Sequence, residues 1–188
     1  MLADMQTDTG HGRSRAGSSP ASPSALTALA DGVWVAAAPV QFLGMRLSST
    51  MTVLRVGDDS LLVHSPVPIT DELRHAVQGL GSVRHLYAPN LFHHLHLGAW
   101  IAAFPEARVH APAGLSKKRP DLRIDRVHAD ADPSLEAAVD ELCIEGFRLE
   151  ESVLFHRSSR TVVMADLVHN IGKPEHAWTR FYTRAMGF

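Results

Sequence analysis

An intrachain disulfide is closed to this sequence, because its 188 residues contain a single cysteine, Cys143. A lone cysteine cannot bridge within the chain, so the composition fits a reducing compartment, and the cytoplasm is the expected location. Cys143 itself reads as a core residue. Long apolar runs are lacking too. No window approaches the roughly 20 apolar residues of a spanning helix, so no membrane partner is expected. Charge of one sign is also scarce: 18 basic and 20 acidic residues leave a formal net charge of -2. Nothing draws the chain as a whole to nucleic acid, and none is expected as a partner. There is no G-x-G-x-x-G, no P-loop and no G-x-S-x-G, which removes support for a nucleotide cradle or a serine-hydrolase elbow. No short-period repeat is present.

What the chain does have is histidine, 12 in all, which raises the question of a metal. Its length suits one domain with a sizeable core. Met1 to Leu26 is rich in Ser, Gly, Pro, Thr and Ala and lacks the apolar segment of a secretory signal. Residues 1–28 are therefore read as a disordered leader and 29–188 as the folded domain. Arg13 and Arg15 leave an organelle-targeting reading open.

Within the domain the patterns alternate between strand and helix. Gly32 to Ala36, Met51 to Val56 and Ser60 to Ser65 read as strands, the last two joined by the turn cluster Gly57-Asp58-Asp59-Ser60. Thr70 or Asp71 caps a helix whose Leu73, Val77 and Leu80 form one stripe. Val83 to Ala88 is a short strand. A second helix is expected from about Leu91, with Leu97, Trp100, Ile101 and Phe104 on one face and Pro105 ending it. Arg108 to Ala111 is a strand, Leu122 to Ala129 is extended, and Asp132-Pro133-Ser134 starts a short helix or turn. Asp140 to Phe147 reads as a further strand. Ser152 to His156 and Thr161 to Ala165 form a hairpin about Arg157-Ser158-Ser159-Arg160, and its second strand delivers Asp166. Mixed strands with helices outside them predict a layered α/β (α+β) domain.

His93 and His94 are the first candidate ligands. Neutral imidazole suits zinc or iron, with a carboxylate completing the site. At the start of the expected helix, the dipole would help keep both rings neutral, and Asn90 would cap that helix. The same residues also make an ordinary polar helix start. Asp166 is either a metal ligand or a helix cap, and His169 either joins it or lies in a solvated loop. His96 and His156 read as exposed, the latter at a hairpin turn. His85 is a weaker candidate, and His110 and His128 have no evident partner. Lys117-Lys118-Arg119 is either a receptor for an anionic substrate group or a solvated loop.

Three ordered segments resemble the metallo-β-lactamase superfamily. They are Asp58 to Ser65, then Val83 to His94 with its A-P-N-x-x-H-H stretch, then Thr161 to Val168 with Ala-Asp-Leu at 165–167. Adding Trp100, Phe104-Pro105-Glu106-Ala107 and Lys117-Lys118-Arg119-Pro120-Asp121-Leu122, the chain looks most like a bacterial branch of that superfamily, a domain of unknown function. The resemblance implies a four-layer αββα sandwich and a metal-dependent hydrolase, acting on a small molecule with one zinc or iron ion held by His93, His94 and Asp166. It places Asn90, His64 and His169 around those ligands, with His64 where the superfamily strand ends in aspartate.

The departures are specific. If the last two positions of the H-x-H-x-D-H motif fall on His93 and His94, the first two fall on Pro89 and Leu91, which cannot ligate. The superfamily's final ligand lies on a further strand, so a C-terminally shortened member is expected, with an uncovered edge or apolar face that favours a homodimer. The alternative is a non-catalytic binding or scaffold module that keeps the fold without a competent metal site.

Overall fold

The computed structural model describes residues 22–42, 45–130, 132–168 and 180–181. The expected leader lies mostly outside the described residues, and His169 lies outside them entirely. The first strand, β1 (Thr27–Ala30), pairs antiparallel with β2 (Val33–Phe42). β2 forms a long hairpin with β3 (Met45–Arg55), and β3 pairs antiparallel with β4 (Ser60–His64). From there the sheet turns parallel, through β5 (Ser82–Tyr87), β6 (Arg108–Ala111) and β7 (Arg126–Val127). Helices α1 (Asp71–Gln78), α2 (Leu97–Ala103) and α3 (Leu115–Lys118) make the crossovers that parallel strands require. A fourth short helix, α4 (Pro133–Glu136), leads into a second sheet of β8 (Val139–Cys143), β9 (Ser152–His156) and β10 (Thr161–Val163), in the order β10-β9-β8 and antiparallel throughout.

Period-two alternation divides the residues of the large sheet between two cores. Met51, Val53, Leu61, Val63, Leu86 and Val109 face the helices and meet Leu73 and Val77 of α1 and Leu97 and Trp100 of α2. Leu54, Leu62 and Tyr87 face the other way and meet Leu135, Val139, Leu154 and Val163. This is a helix layer on a sheet on a second sheet. Among the described residues no helix is long and apolar enough to cross a membrane.

Local chemistry explains most of the boundaries. Thr70 caps α1 by accepting from Leu73 N at 3.2 Å, and acidic Asp71 and Glu72 fill the first turn. Gly81 has φ +154, and a Cβ there would lie 2.8 Å from the Asp59 carbonyl oxygen. The chain can therefore dock its α1–β5 turn against the β3–β4 turn, where Ser82 N donates to that same oxygen at 2.7 Å. Trp100 is fully buried and its indole N–H donates to Val67 O at 2.8 Å.

Two expectations need correction. The second helix begins at Leu97, not near Leu91, because the Asn90 side chain accepts from the backbone of Phe92 and His93 and sets up a turn there. His93 and His94 therefore precede the helix and do not feel its dipole as first-turn residues. His156 is also not exposed. It closes β9 on the inner face, donating from Nε2 to Arg55 O at 2.8 Å, while Nδ1 meets Ser159 Oγ at 2.7 Å.

Candidate metal centre

Strands β4 and β5 run parallel, so the loops that follow them emerge at the same edge. Residues at both ends of the second-sheet hairpin arrive there as well: Glu151 just before β9 and Asp166 just after β10. Ser65 is the first residue beyond β4. It holds a left-handed φ of 53, and its N–H donates to Tyr87 O at 2.9 Å. That conformation is uncommon for a non-glycine residue and directs the Ser65 hydroxyl at the loop after β5.

Asn90 organises that loop. It is fully buried, and its Oδ1 accepts from Phe92 N at 2.8 Å and His93 N at 3.0 Å. Two backbone donors fix which side of the amide is oxygen, so Nδ2 is the side that reaches Asp166 Oδ2 at 2.7 Å and Glu151 Oε2 at 3.2 Å. Glu151 is equally buried. Its two oxygens accept from Ala165 N at 2.8 Å and from Asp166 N at 2.9 and 3.0 Å. A buried carboxylate thus clamps the short turn that carries Asp166. Glu151 belongs to no metal-type motif in the sequence. The signal available there was an acid directly before a strand whose hairpin partner ends on a second acid.

The result is a pair. His93 Nε2 stands 3.4 Å from Asp166 Oδ1, with each side chain about one-fifth exposed, at 19% and 18%. The remaining polar atom of each is held from behind: His93 Nδ1 by Ser65 Oγ at 2.5 Å, and Asp166 Oδ2 by Asn90. His94 behaves differently. Its Nδ1 lies 3.1 Å from Arg119 Nη1, and a guanidinium can only donate, so the single lone pair of the neutral ring is taken. Burial, with Lys118 and Arg119 nearby, holds the His94 pKa below its ordinary value. His64 lies beneath the pair, fully buried and stacked on Tyr87 with ring centroids 5.6 Å apart, and its Nε2 has no hydrogen-bond partner among the described residues. Burial, then His93 and His128, lowers its pKa to about 3.

Among the described residues, the three-residue group whose ligand atoms all lie within 4.8 Å of one another is elsewhere: His85, His110 and Asp132. The register pairs His64 with Tyr87, Tyr87 with His110, and Leu62 with His85, so all of these face the second sheet. His85 Nδ1 meets His110 Nε2 at 3.0 Å, and His110 Nε2 stands 3.8 Å from Asp132 Oδ2. Burial lowers both imidazoles to about 4. Burial pushes the Asp132 carboxyl up, but hydrogen bonds from Ser134 and Arg108 outweigh it and hold the group at about 2. Asp132 caps α4, as its sequence context suggested, but its approach to two histidines was not legible. A cleft of about 410 Å³ lined by Asp59, Arg84 and Phe104 opens at the opposite ends of the parallel strands and contains none of these groups.

The backbone resembles solved structures. A crystal structure of the DIM-1 metallo-β-lactamase exposed to ceftazidime superposes with a TM-score of 0.59 over 86% of this chain and 82% of its own, at 12% identity. The chain has the metallo-β-lactamase-like fold. VMB-1 gives a TM-score of 0.56 at 7% identity, covering 73% of this chain and 67% of its own. A metallo-β-lactamase from Hirschia baltica gives 0.52 at 9% identity, covering 77% and 70%. At such identities the likeness is one of fold. No family model matches the sequence, and no curated protein does. In this fold the His93–Asp166 pair is built from the two segments whose motifs resembled the superfamily's metal-binding stretches.

Proposed function

We propose that the chain is a metal-dependent hydrolase of small molecules, working with one zinc or iron ion at the His93–Asp166 pair. The observation that carries this reading is the 3.4 Å between His93 Nε2 and Asp166 Oδ1. Two tetrahedral ligands at bond lengths of about 2.0–2.2 Å are themselves separated by roughly 3.4 Å. The backing by Ser65 and Asn90 adds support, since ligands are oriented through the atom that does not face the metal. An ion there would supply Lewis-acid activation of water and of a carbonyl or phosphoryl oxygen. The chain's own residues do the positioning. Glu151 and Asn90 hold Asp166, Ser65 sets the His93 ring, and the exposed Lys117 and Lys118 offer charge to an anionic substrate group.

One observation favours the alternative of a non-catalytic binding module. The His94–Arg119 contact leaves two protein ligands where catalytic zinc usually has three, so His94 joins them only by leaving Arg119. A substrate panel separates the two readings. Zinc- or iron-reconstituted protein is assayed on carboxylic esters, lactones, β-lactams and phosphodiesters, beside His93→Ala and His94→Ala. Saturable turnover of at least one class that His93→Ala abolishes is the expected result. A change in His94→Ala would add that residue to the ligands. Bound metal without turnover of any class would leave the binding module.

A further inference from the structure

We infer that His85, His110 and Asp132 form a second cation site of the zinc class, structural in role and separate from the loop pair. Strand parity is the starting point. His85 on β5 and Arg108 and His110 on β6 share the inner face, with His85 in register opposite Arg108. The two imidazoles are therefore diagonal neighbours, and their rings lie 5.2 Å apart at a tilt of 49°. Asp132 enters from outside the sheet, as the cap of α4. All three side chains are buried.

Their spacing is close to that of a ligand set. The two imidazoles share one hydrogen bond at 3.0 Å. Asp132 takes no part in it, lying 3.8 Å from the nearer ring nitrogen. These separations bracket the roughly 3.4 Å expected between tetrahedral ligands, so modest side-chain shifts would seat a cation. Two neutral nitrogens and one carboxylate oxygen are a borderline donor set that suits zinc better than calcium or magnesium. Arg108 is the competitor: its Nη1 lies 3.1 Å from Asp132 Oδ1, and its side chain is half exposed and free to swing outward. A bound ion would tie β5 and β6 to the segment that enters the second sheet, adding its binding energy to that of the fold. The site lies behind Tyr87, away from the loops, so its role is to staple the sandwich.

The test uses zinc alone on the full chain with the loop pair removed, as His93→Ala/Asp166→Asn. One zinc per chain should remain, measured by competition with a chromogenic chelator, and zinc should raise the melting temperature. Adding His110→Gln should abolish both effects. Arg108→Gln should tighten zinc binding about tenfold, because the positive charge that competes with zinc for Asp132 is gone. No zinc bound by the His93→Ala/Asp166→Asn protein would overturn the site. So would zinc that neither His110→Gln weakens nor Arg108→Gln tightens. If His110→Gln fails to fold, Arg108→Gln decides alone. Because the loop pair is deleted from the start, failure here leaves the hydrolase reading untouched, and the reverse also holds.

Discussion

Stripped of metal, the protein should lose most of its stability as pH falls from 6.5 to about 5. His64, His85, His110 and His128 are all held neutral, chiefly by burial, at about 3, 4, 4 and 3 against an ordinary 6.5. The sign follows from proton binding. Above 6.5 neither the folded nor the unfolded chain protonates these rings, and stability is full. Below 6.5 the unfolded chain takes up protons that the folded chain refuses until pH falls to between about 4 and 3, so stability drops across that window. At about pH 5 each histidine costs roughly 2 kcal/mol, and the four together approach the whole 5–15 kcal/mol of a typical domain. His94 and His96 shift in the same direction. Urea unfolding at a series of pH values measures the effect. His128→Phe keeps a ring stacked on Tyr87, where the two rings now lie 4.7 Å apart, and removes one titration. It should reduce the slope by about 1.4 kcal/mol per pH unit. A flat profile from pH 8 to 5 would show that these rings are hydrated in solution.

Glu151→Ala should be the most damaging single change at the candidate centre. It strips the acceptor from Ala165 N, Asp166 N and Asn90 Nδ2 at once. Orphaning buried donors costs about 1–3 kcal/mol each, so a loss of about 3–5 kcal/mol is expected, together with metal binding at the loop pair. Glu151→Gln keeps the shape but turns an amide donor toward other donors, and should fall between parent and alanine. Asp166→Asn is the informative contrast: it should abolish metal binding at the pair with much less effect on unfolding. Parental stability in Glu151→Ala would mean that this carboxylate does not clamp the 165–166 turn.

Much of the fold was legible because it rests on local signals. The Thr70 cap, the Leu73 and Val77 stripe, the Leu97 and Trp100 face and the hairpin after Ser152 were all found where the residues implied. The long β2–β3 hairpin was underestimated. Its outer residues, such as Ser48, Ser49 and Thr50, carry little apolar patterning. The helix start was misplaced because Asn90 caps equally well in a turn or a helix, and tertiary hydrogen bonds to Asp166 and Glu151 select the turn.

The site was half legible for a related reason. His93 and Asp166 stood out as metal-type residues after strands. Glu151 acquires its role only through partners 14, 15 and 61 positions away. His110 and His128 have no evident partner in the sequence because the sheet that buries them comes much later in the chain. Val139, Leu154 and Val163 close that layer. His110 and Asp132 meet only once β6 and α4 have been placed.

The most direct test of an ion at the His93–Asp166 pair is metal content by elemental mass spectrometry, comparing the parent with His93→Ala/Asp166→Asn after identical loading with zinc or iron and desalting. The account predicts that the parent carries one more equivalent per chain than the double variant, whatever the buried His85–His110–Asp132 site retains in both. Equal metal in the two proteins would contradict it and leave the pair as a hydrogen-bonded loop clasp.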